Sequence, residues 1–264
     1  MTRYSEYRLG VFLSCPRRYC YYYVERMKTP RSVSTPMLLG GNVHEACKLF
    51  YDATRIDRTE ESLHALFRAI WKRNQTGRFF KTKDEEKEAG VLGLKMLTNF
   101  YNRFGVKKPV IIEAHMENRF TSFILDGRVD RVDLSDDGAY EIVDYKTNRF
   151  RETEGRERDK QTMQLNVYAL LLNGTRPVSL GRYYYMNEDV FDTIEFTPEK
   201  IARVREYIFE LVEEIERERE FAPSIGKQCT WCDFKSRCVK DFKIDITEPS
   251  AAGLLPDDEG ETAP

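Results

Sequence analysis

Two carboxylates and one ammonium, Asp130, Asp144 and Lys146, fall within the stretch GRVDRVDLSDDGAYEIVDYKT (residues 127–147). The β-branched run EIVDYKT predicts a strand, and side chains two apart in a strand leave it on one side, so Asp144 and Lys146 share a face. Asp130 lies fourteen positions before Asp144, at the end of the apolar run FTSFILDGRVDRVDL, and the acidic turn Ser135-Asp136-Asp137-Gly138 predicts a hairpin between them. Oxygen ligands suit a hard cation such as Mg²⁺ or Mn²⁺. A lysine beside them orients a water or neutralises charge developing at a phosphate. Spacing alone also admits an ordinary exposed strand, with Asp130, Arg131 and Asp133 in solvent and Lys146 merely paired to Asp144.

Further candidates sit on other elements. Gly40, Gly41 and Asn42 predict a helix start, with Val43, Ala46, Cys47, Leu49 and Phe50 as its buried stripe and His44 beside it. On periodicity alone, His44 reads as a partly buried hydrogen-bonding group. Glu45 points away from it, and Glu113, in the strand-like VIIEAHME, reads equally as a carboxylate near a metal or as a solvated charge. Gln164 and Tyr168, four apart in the helical run DKQTMQLNVYALLL, share a face on which amide and phenol act together or simply meet solvent.

Six cysteines form the second constellation: Cys15, Cys20, Cys47, Cys229, Cys232 and Cys238. The last three make C-x2-C-x5-C, a spacing suited to thiolates converging on one metal centre, with Cys15 or Cys20 available as a fourth ligand. Zinc and a 4Fe-4S cluster both fit this spacing. Disulfides are a poor reading, because MTRYSEYRL lacks the apolar core of a signal peptide and a reducing cytoplasm is expected. A metal bridge from Cys15 to Cys229 would close a loop of roughly 214 residues, an unfolded-state constraint of at most about 5 kcal/mol, so a structural staple between the N-terminal helices and the core is expected. Cys20 and Cys47 read as buried small apolar residues.

Taken together, these segments resemble the PD-(D/E)XK nuclease superfamily and, within it, the RecB-like exonucleases. Asp130 matches the first half-motif and Asp144-Tyr145-Lys146 the D/E-x-K half. SEYRLGVFLSCPRRYCYYYVERMK resembles the family's opening helix with its Cys-Pro, GGNVHEACKLF its Gly-x-x-x-His-Glu segment, QLNVYALLL its Gln-x-x-x-Tyr helix, and CTWCDFKSRC its cysteine-rich end. The resemblance implies that His44 is a metal ligand alongside Asp130, Asp144 and the carbonyl of Tyr145. It implies that Lys146 is catalytic and that Gln164 and Tyr168 line the active site. A nitrogen among oxygen ligands tilts the preference from Mg²⁺ towards Mn²⁺. Cys15 is the implied fourth cluster ligand, and the cysteine set resembles that of the iron–sulfur subclass, which includes CRISPR-associated nucleases. The implied substrate is DNA with a single-stranded or otherwise free end, in recombination, repair or CRISPR adaptation. A noncatalytic nucleic-acid-binding subunit that keeps fold and cluster is the alternative.

Composition adjusts these expectations. The net charge is −2, but the tail after Lys243 holds six acids (Asp245, Glu248, Asp257, Asp258, Glu259, Glu261) and no base, so the rest of the chain carries +4. Basic residues cluster at Arg17, Arg18, Arg26, Lys28 and Arg31, at Lys72, Arg73, Arg78, Lys81 and Lys83, and in NRFRETEGRERDK, where they adjoin aromatics such as Tyr19, Tyr21, Tyr22, Tyr23, Phe79 and Phe80. Such mixing suits phosphate contact and base stacking, although most of these rings read as core. Residues 148–160 read as a mobile loop closing over DNA. No phosphate-binding G-x-x-x-x-G-K-[ST] loop is present, so any ATP-driven motor would be a partner helicase. No apolar run is long enough to span a membrane.

The elements that must position these residues follow from the same patterns. Residues 5–105 read as mainly helical with breaks near 29–36 and 73–80, residues 110–147 as three strands, 159–173 as a helix, SLGRYYYMN and VFDTIEF as strands, and Thr197-Pro198-Glu199 as the start of a helix to about Glu220. The expected fold is α/β, a restriction-endonuclease-like mixed central sheet flanked by helices. Expected divisions are an N-terminal helical part (1–105) with Cys15 and His44, a nuclease core (106–222), a cysteine-rich segment (223–243) and an acidic disordered tail (244–264).

Overall fold

The computed structural model describes residues 1–29, 34–52, 57–105, 107–153 and 155–244, without the side chains of 155–157, 159 and 160. In chain order these residues form β1 (Thr2–Ser5), α1 (Glu6–Ser14), α2 (Pro16–Tyr19), α3 (Thr35–Asp52), α4 (Glu60–Arg73), α5 (Lys83–Phe104), β2 (Ile111–Arg119), β3 (Phe123–Leu134), β4 (Tyr140–Lys146), α6 (Gly155–Leu172), β5 (Val178–Tyr185), β6 (Val190–Glu195), α7 (Pro198–Arg217) and α8 (Lys235–Phe242). The acidic tail expected beyond Ile244 and residue 154 of the expected 148–160 loop lie outside the described residues, and from Gly155 onward the expected loop is instead the start of α6.

Two compact units emerge. The first comprises Met1–Glu6 and Ser32–Glu210, the second Tyr7–Arg31 and Leu211–Pro264, so the helical stretch 1–105 is shared between them. The first unit is built on a six-stranded mixed sheet in the order β1-β3-β4-β5-β6, with β2 added on β3. β1 pairs parallel with β3, β2 and β4 pair antiparallel with it, β4 and β5 are parallel, and β6 is antiparallel to β5. The parallel β4–β5 pair requires a crossover, which α6 supplies. This is the expected restriction-endonuclease-like architecture.

One feature of β3 positions the site. Along one edge β2 accompanies it, but the other edge is shared: β1 takes Phe123–Asp126 and β4 takes Arg131–Leu134. The stretch Gly127–Asp130 is thus left as a notch between two short pairings. β1 was not expected from sequence, since four residues carry little periodicity and their pairing is non-local. The helix bearing His44 begins at Thr35 rather than at Gly40, so the two glycines lie within α3.

Alternation along β4 and β5 divides the two faces. Val143, Tyr145 and Tyr184 join the apolar cluster of α3, α4 and α5, including Val43, Ala46, Cys47, Phe50, Phe67 and Phe100. Lys146, Gly181 and Tyr183 meet α6 through Gln164, Leu165 and Gln161. Local signals fix the helix ends. Thr59 and Ser62 form a reciprocal cap at the start of α4, and the Thr82 hydroxyl accepts from the Glu85 N–H at the start of α5.

Within the second unit, Tyr19 packs against Phe12 and Phe221, and Tyr21 and Tyr22 pack against Phe234. The Arg8 guanidinium donates to the Tyr19 hydroxyl and lies over Tyr23, while Arg17 lies over Tyr21. These tyrosines are therefore structural rings with cationic neighbours.

Candidate active site

His44 lies on α3 one turn after Gly40, where an added Cβ would meet the Thr147 hydroxyl at 3.0 Å, so glycine lets the helix approach the end of β4. Its Nδ1 is 3.3 Å from Glu113 Oε1 and 3.5 Å from Asp130 Oδ2, and its Nε2 is 3.0 Å from the Tyr145 carbonyl oxygen. Among the described residues, ligand atoms of His44, Glu113 and Asp130 lie within 4.8 Å of one another, a spacing that fits one metal ion. Burial works against charge on His44, but Asp130 and Glu113 outweigh it and hold the imidazole well above its ordinary pKa. Converging carboxylates demand a positive charge there.

Asp130 occupies the notch. Its Oδ2 accepts from the Tyr145 N–H at 2.9 Å, just beyond the last β3–β4 pair, so the carboxylate satisfies an amide that the strand pairing leaves over. Glu113 reaches the site by an unusual route. It stands in β2 with φ of 43°, a left-handed conformation costly for a side-chain-bearing residue, between the regular pairs Ile112–Arg131 and Ala114–Val129. Its second oxygen is 2.9 Å from Arg128 Nε.

Asp144, Lys146, Gln164 and Tyr168 form a chain beside this group. Lys146 Nζ is 2.7 Å from Asp144 Oδ2 and donates to Gln164 Oε1 at 2.6 Å, and Gln164 Nε2 in turn donates to the Tyr168 hydroxyl at 2.9 Å. Burial pushes Asp144 up to about 7 against the pull of Lys146, with Asp130 adding to the rise. Burial would lower Lys146, but Asp144 reverses this and keeps the ammonium charged. Tyr168 stays a neutral phenol because burial raises it far beyond its usual range. Its ring packs over Gly127, where a Cβ would sit 2.9 Å from the ring. Asp144 is only 1 % exposed and feels both Asp130 and His44, although it stands outside the three-residue ligand group.

The solvated-strand alternative does not hold. Asp130, Arg131 and Asp133 are buried, and Arg131 grips Asp133 through two donors at 2.7 and 2.9 Å while lying over Phe104. Glu45 pairs with Arg73, away from the site. Sequence reading missed Glu6, which follows β1 at the notch. Its Oε2 is buried and, among the described residues, has no hydrogen-bond partner; burial lifts its pKa, with Asp126 and Asp130 adding and Lys146 opposing. Nothing in YSEYRL distinguishes this glutamate from a helix-surface acid.

A second candidate centre lies wholly within the second unit. Cys15, Cys229, Cys232 and Cys238 line one pocket with Arg17 and Arg18, whereas Cys20 and Cys47 are elsewhere. Burial pushes the Cys238 thiol up to about 11, and Cys15, Cys229 and Cys232 add to the rise. As a donor set, four thiols around a pocket fit a thiolate-ligated metal centre.

No curated protein matches the chain. Among solved structures, it is similar to the protein SSO0001 (16 % identity, TM-score 0.41, covering 90 % of this chain and 86 % of that one). It is also similar to a candidate exonuclease from Eubacterium rectale (12 % identity, TM-score 0.49, covering 94 % and 90 %). A family model described as the PD-(D/E)XK nuclease superfamily matches residues 3–239, which takes in the notch, the Asp-Tyr-Lys strand and the cysteine pocket. The chain belongs to the PD-(D/E)XK nuclease superfamily.

Proposed function

We propose that this protein is a RecB-like, metal-dependent deoxyribonuclease that acts as an exonuclease on single-stranded ends, in recombination, repair or CRISPR adaptation, alone or with a helicase partner. The observation that carries the catalytic part is the meeting of His44, Glu113 and Asp130 beside a charged Lys146. In this reading His44, Asp130, Asp144 and the Tyr145 carbonyl hold Mg²⁺ or Mn²⁺, and Glu113 joins them. A bound divalent cation polarises a phosphoryl oxygen and acidifies water. Lys146, gripped by Asp144 and Gln164, stabilises the charge that develops on the phosphorane oxygens and orients the attacking water. The donor-only ammonium takes the Gln164 amide oxygen, and Tyr168 accepts from the amide nitrogen on its far side.

The end preference is supported by the sequence resemblance to RecB-like exonucleases, and a polyanionic substrate by the +4 charge of the chain without its acidic tail. We assign Cys15, Cys229, Cys232 and Cys238 to a 4Fe-4S cluster that acts as a structural crosslink. The resemblance supports iron, and the shared pocket supports the ligand set.

A time course with anaerobically prepared protein on 5′- and 3′-labelled single-stranded oligonucleotides tests this reading. Cleavage that requires Mn²⁺ or Mg²⁺, stops with EDTA and spares circular single strands is expected. DNA binding without cleavage under every cation would overturn it in favour of the noncatalytic subunit.

A further inference from the structure

The strand that carries Lys146 runs directly into an exposed aromatic residue. Phe150, four positions on, is 41 % exposed, yet its ring is not loose: its centroid is 5.1 Å from that of Tyr185 at an interplanar angle of 73°. Tyr185 is 2 % exposed, pairs in register with Lys146 across β4 and β5, and accepts a hydrogen bond from Gln161 Nε2 at 2.8 Å. Thr153, at the far end of the same segment, donates to Gln161 Oε1, so one side chain of α6 steadies both the Tyr185 support and the segment. Arg149, next to Phe150, is exposed.

An exposed, supported ring just beyond the catalytic lysine offers a nucleobase a surface for stacking, and a neighbouring guanidinium suits the phosphate of the same nucleotide. We propose that Phe150 is a base-stacking subsite for the nucleotide flanking the scissile phosphate, with Arg149 on its phosphate. This rests on the nuclease reading above. The T-shaped contact with Tyr185 holds the ring in place before substrate arrives, so little conformational freedom is lost on binding. Stacking tolerates any base, which suits an enzyme that proceeds along a strand.

The test measures binding and turnover separately. Oligonucleotides carrying a single 2-aminopurine are titrated with Ca²⁺ as the cation, and kcat and KM are measured in Mn²⁺. The proteins compared are wild type, Phe150→Ala, Phe150→Leu and Phe150→Trp. We expect strong quenching at one position of the strand, and Phe150→Ala and Phe150→Leu to weaken binding and raise KM about tenfold. Phe150→Trp should preserve both. An abasic nucleotide at the quenched position should impose a similar loss on wild type and none further on Phe150→Ala. Unchanged affinity in Phe150→Ala, full rescue by leucine, or equal sensitivity at every abasic position would overturn the subsite. Failure of the nuclease reading would show instead as absent products in Mn²⁺, whatever the binding result.

Discussion

Removing the Lys146 ammonium separates charge stabilisation from architecture. The group touches Asp144 and Gln164, while His44, Glu113 and Asp130 lie on α3, β2 and β3. Lys146→Ala should therefore lower cleavage by on the order of 10²–10³ while Mn²⁺ binding persists. In metal-free protein Asp144, already pushed up to about 7, can take a proton once its partner is gone, and in the loaded protein the cation compensates its charge, so far-UV circular dichroism should remain that of the wild type. Cleavage at the wild-type rate would remove Lys146 from the mechanism. At this scale the sequence was informative. The two-residue spacing of Asp144 and Lys146 and the four-residue spacing of Gln164 and Tyr168 each place neighbours correctly, because these are local consequences of strand and helix geometry. Glu6 was illegible because its role depends on burial that only the assembled sheet creates.

At the scale of the element, β2 holds the clearest sign of conformational cost. Glu113 adopts φ of 43° in a strand, which turns its carboxylate towards His44. In an ordinary strand glycine is less stable than alanine by about 0.5–1 kcal/mol. Here the order should invert: in metal-free protein Glu113→Gly should melt above Glu113→Ala, with a difference of about 1 kcal/mol in favour of glycine. Both variants should lose Mn²⁺ affinity in calorimetric titration. Glycine melting below alanine would show that the left-handed backbone costs nothing. No residue in VIIEAHME marks this distortion, and Glu113 was accordingly ambiguous in sequence. The same holds for β1, whose pairing partner is more than a hundred residues away and whose end defines the notch. By contrast, β3, β4, α6 and α7 were readable, since alternation, the Ser-Asp-Asp-Gly turn and the Thr-Pro-Glu start are short-range signals.

At the scale of the molecule, the cysteine pocket joins residue 15 to residues 229–238 within one unit, so two segments far apart in sequence meet in a single centre. C-x2-C-x5-C was visible in sequence, but the convergence of Cys15 with it depended on the resemblance. Cys238→Ser and Cys15→Ser should each abolish the brown colour of anaerobically purified protein. Each should also add an early thermal transition, because a crosslink over so long a loop contributes at most about 5 kcal/mol. A colourless wild type that contains one zinc per chain would replace iron with zinc and leave the staple in place.

The proposed nuclease depends on one cation site, which anomalous diffraction from crystals soaked in Mn²⁺ locates. A strong anomalous peak is expected between the side chains of His44, Glu113 and Asp130, lost on soaking with EDTA. Crystals fully exchanged with Mn²⁺ that show no peak there, or show the ion elsewhere in the first unit, would contradict it.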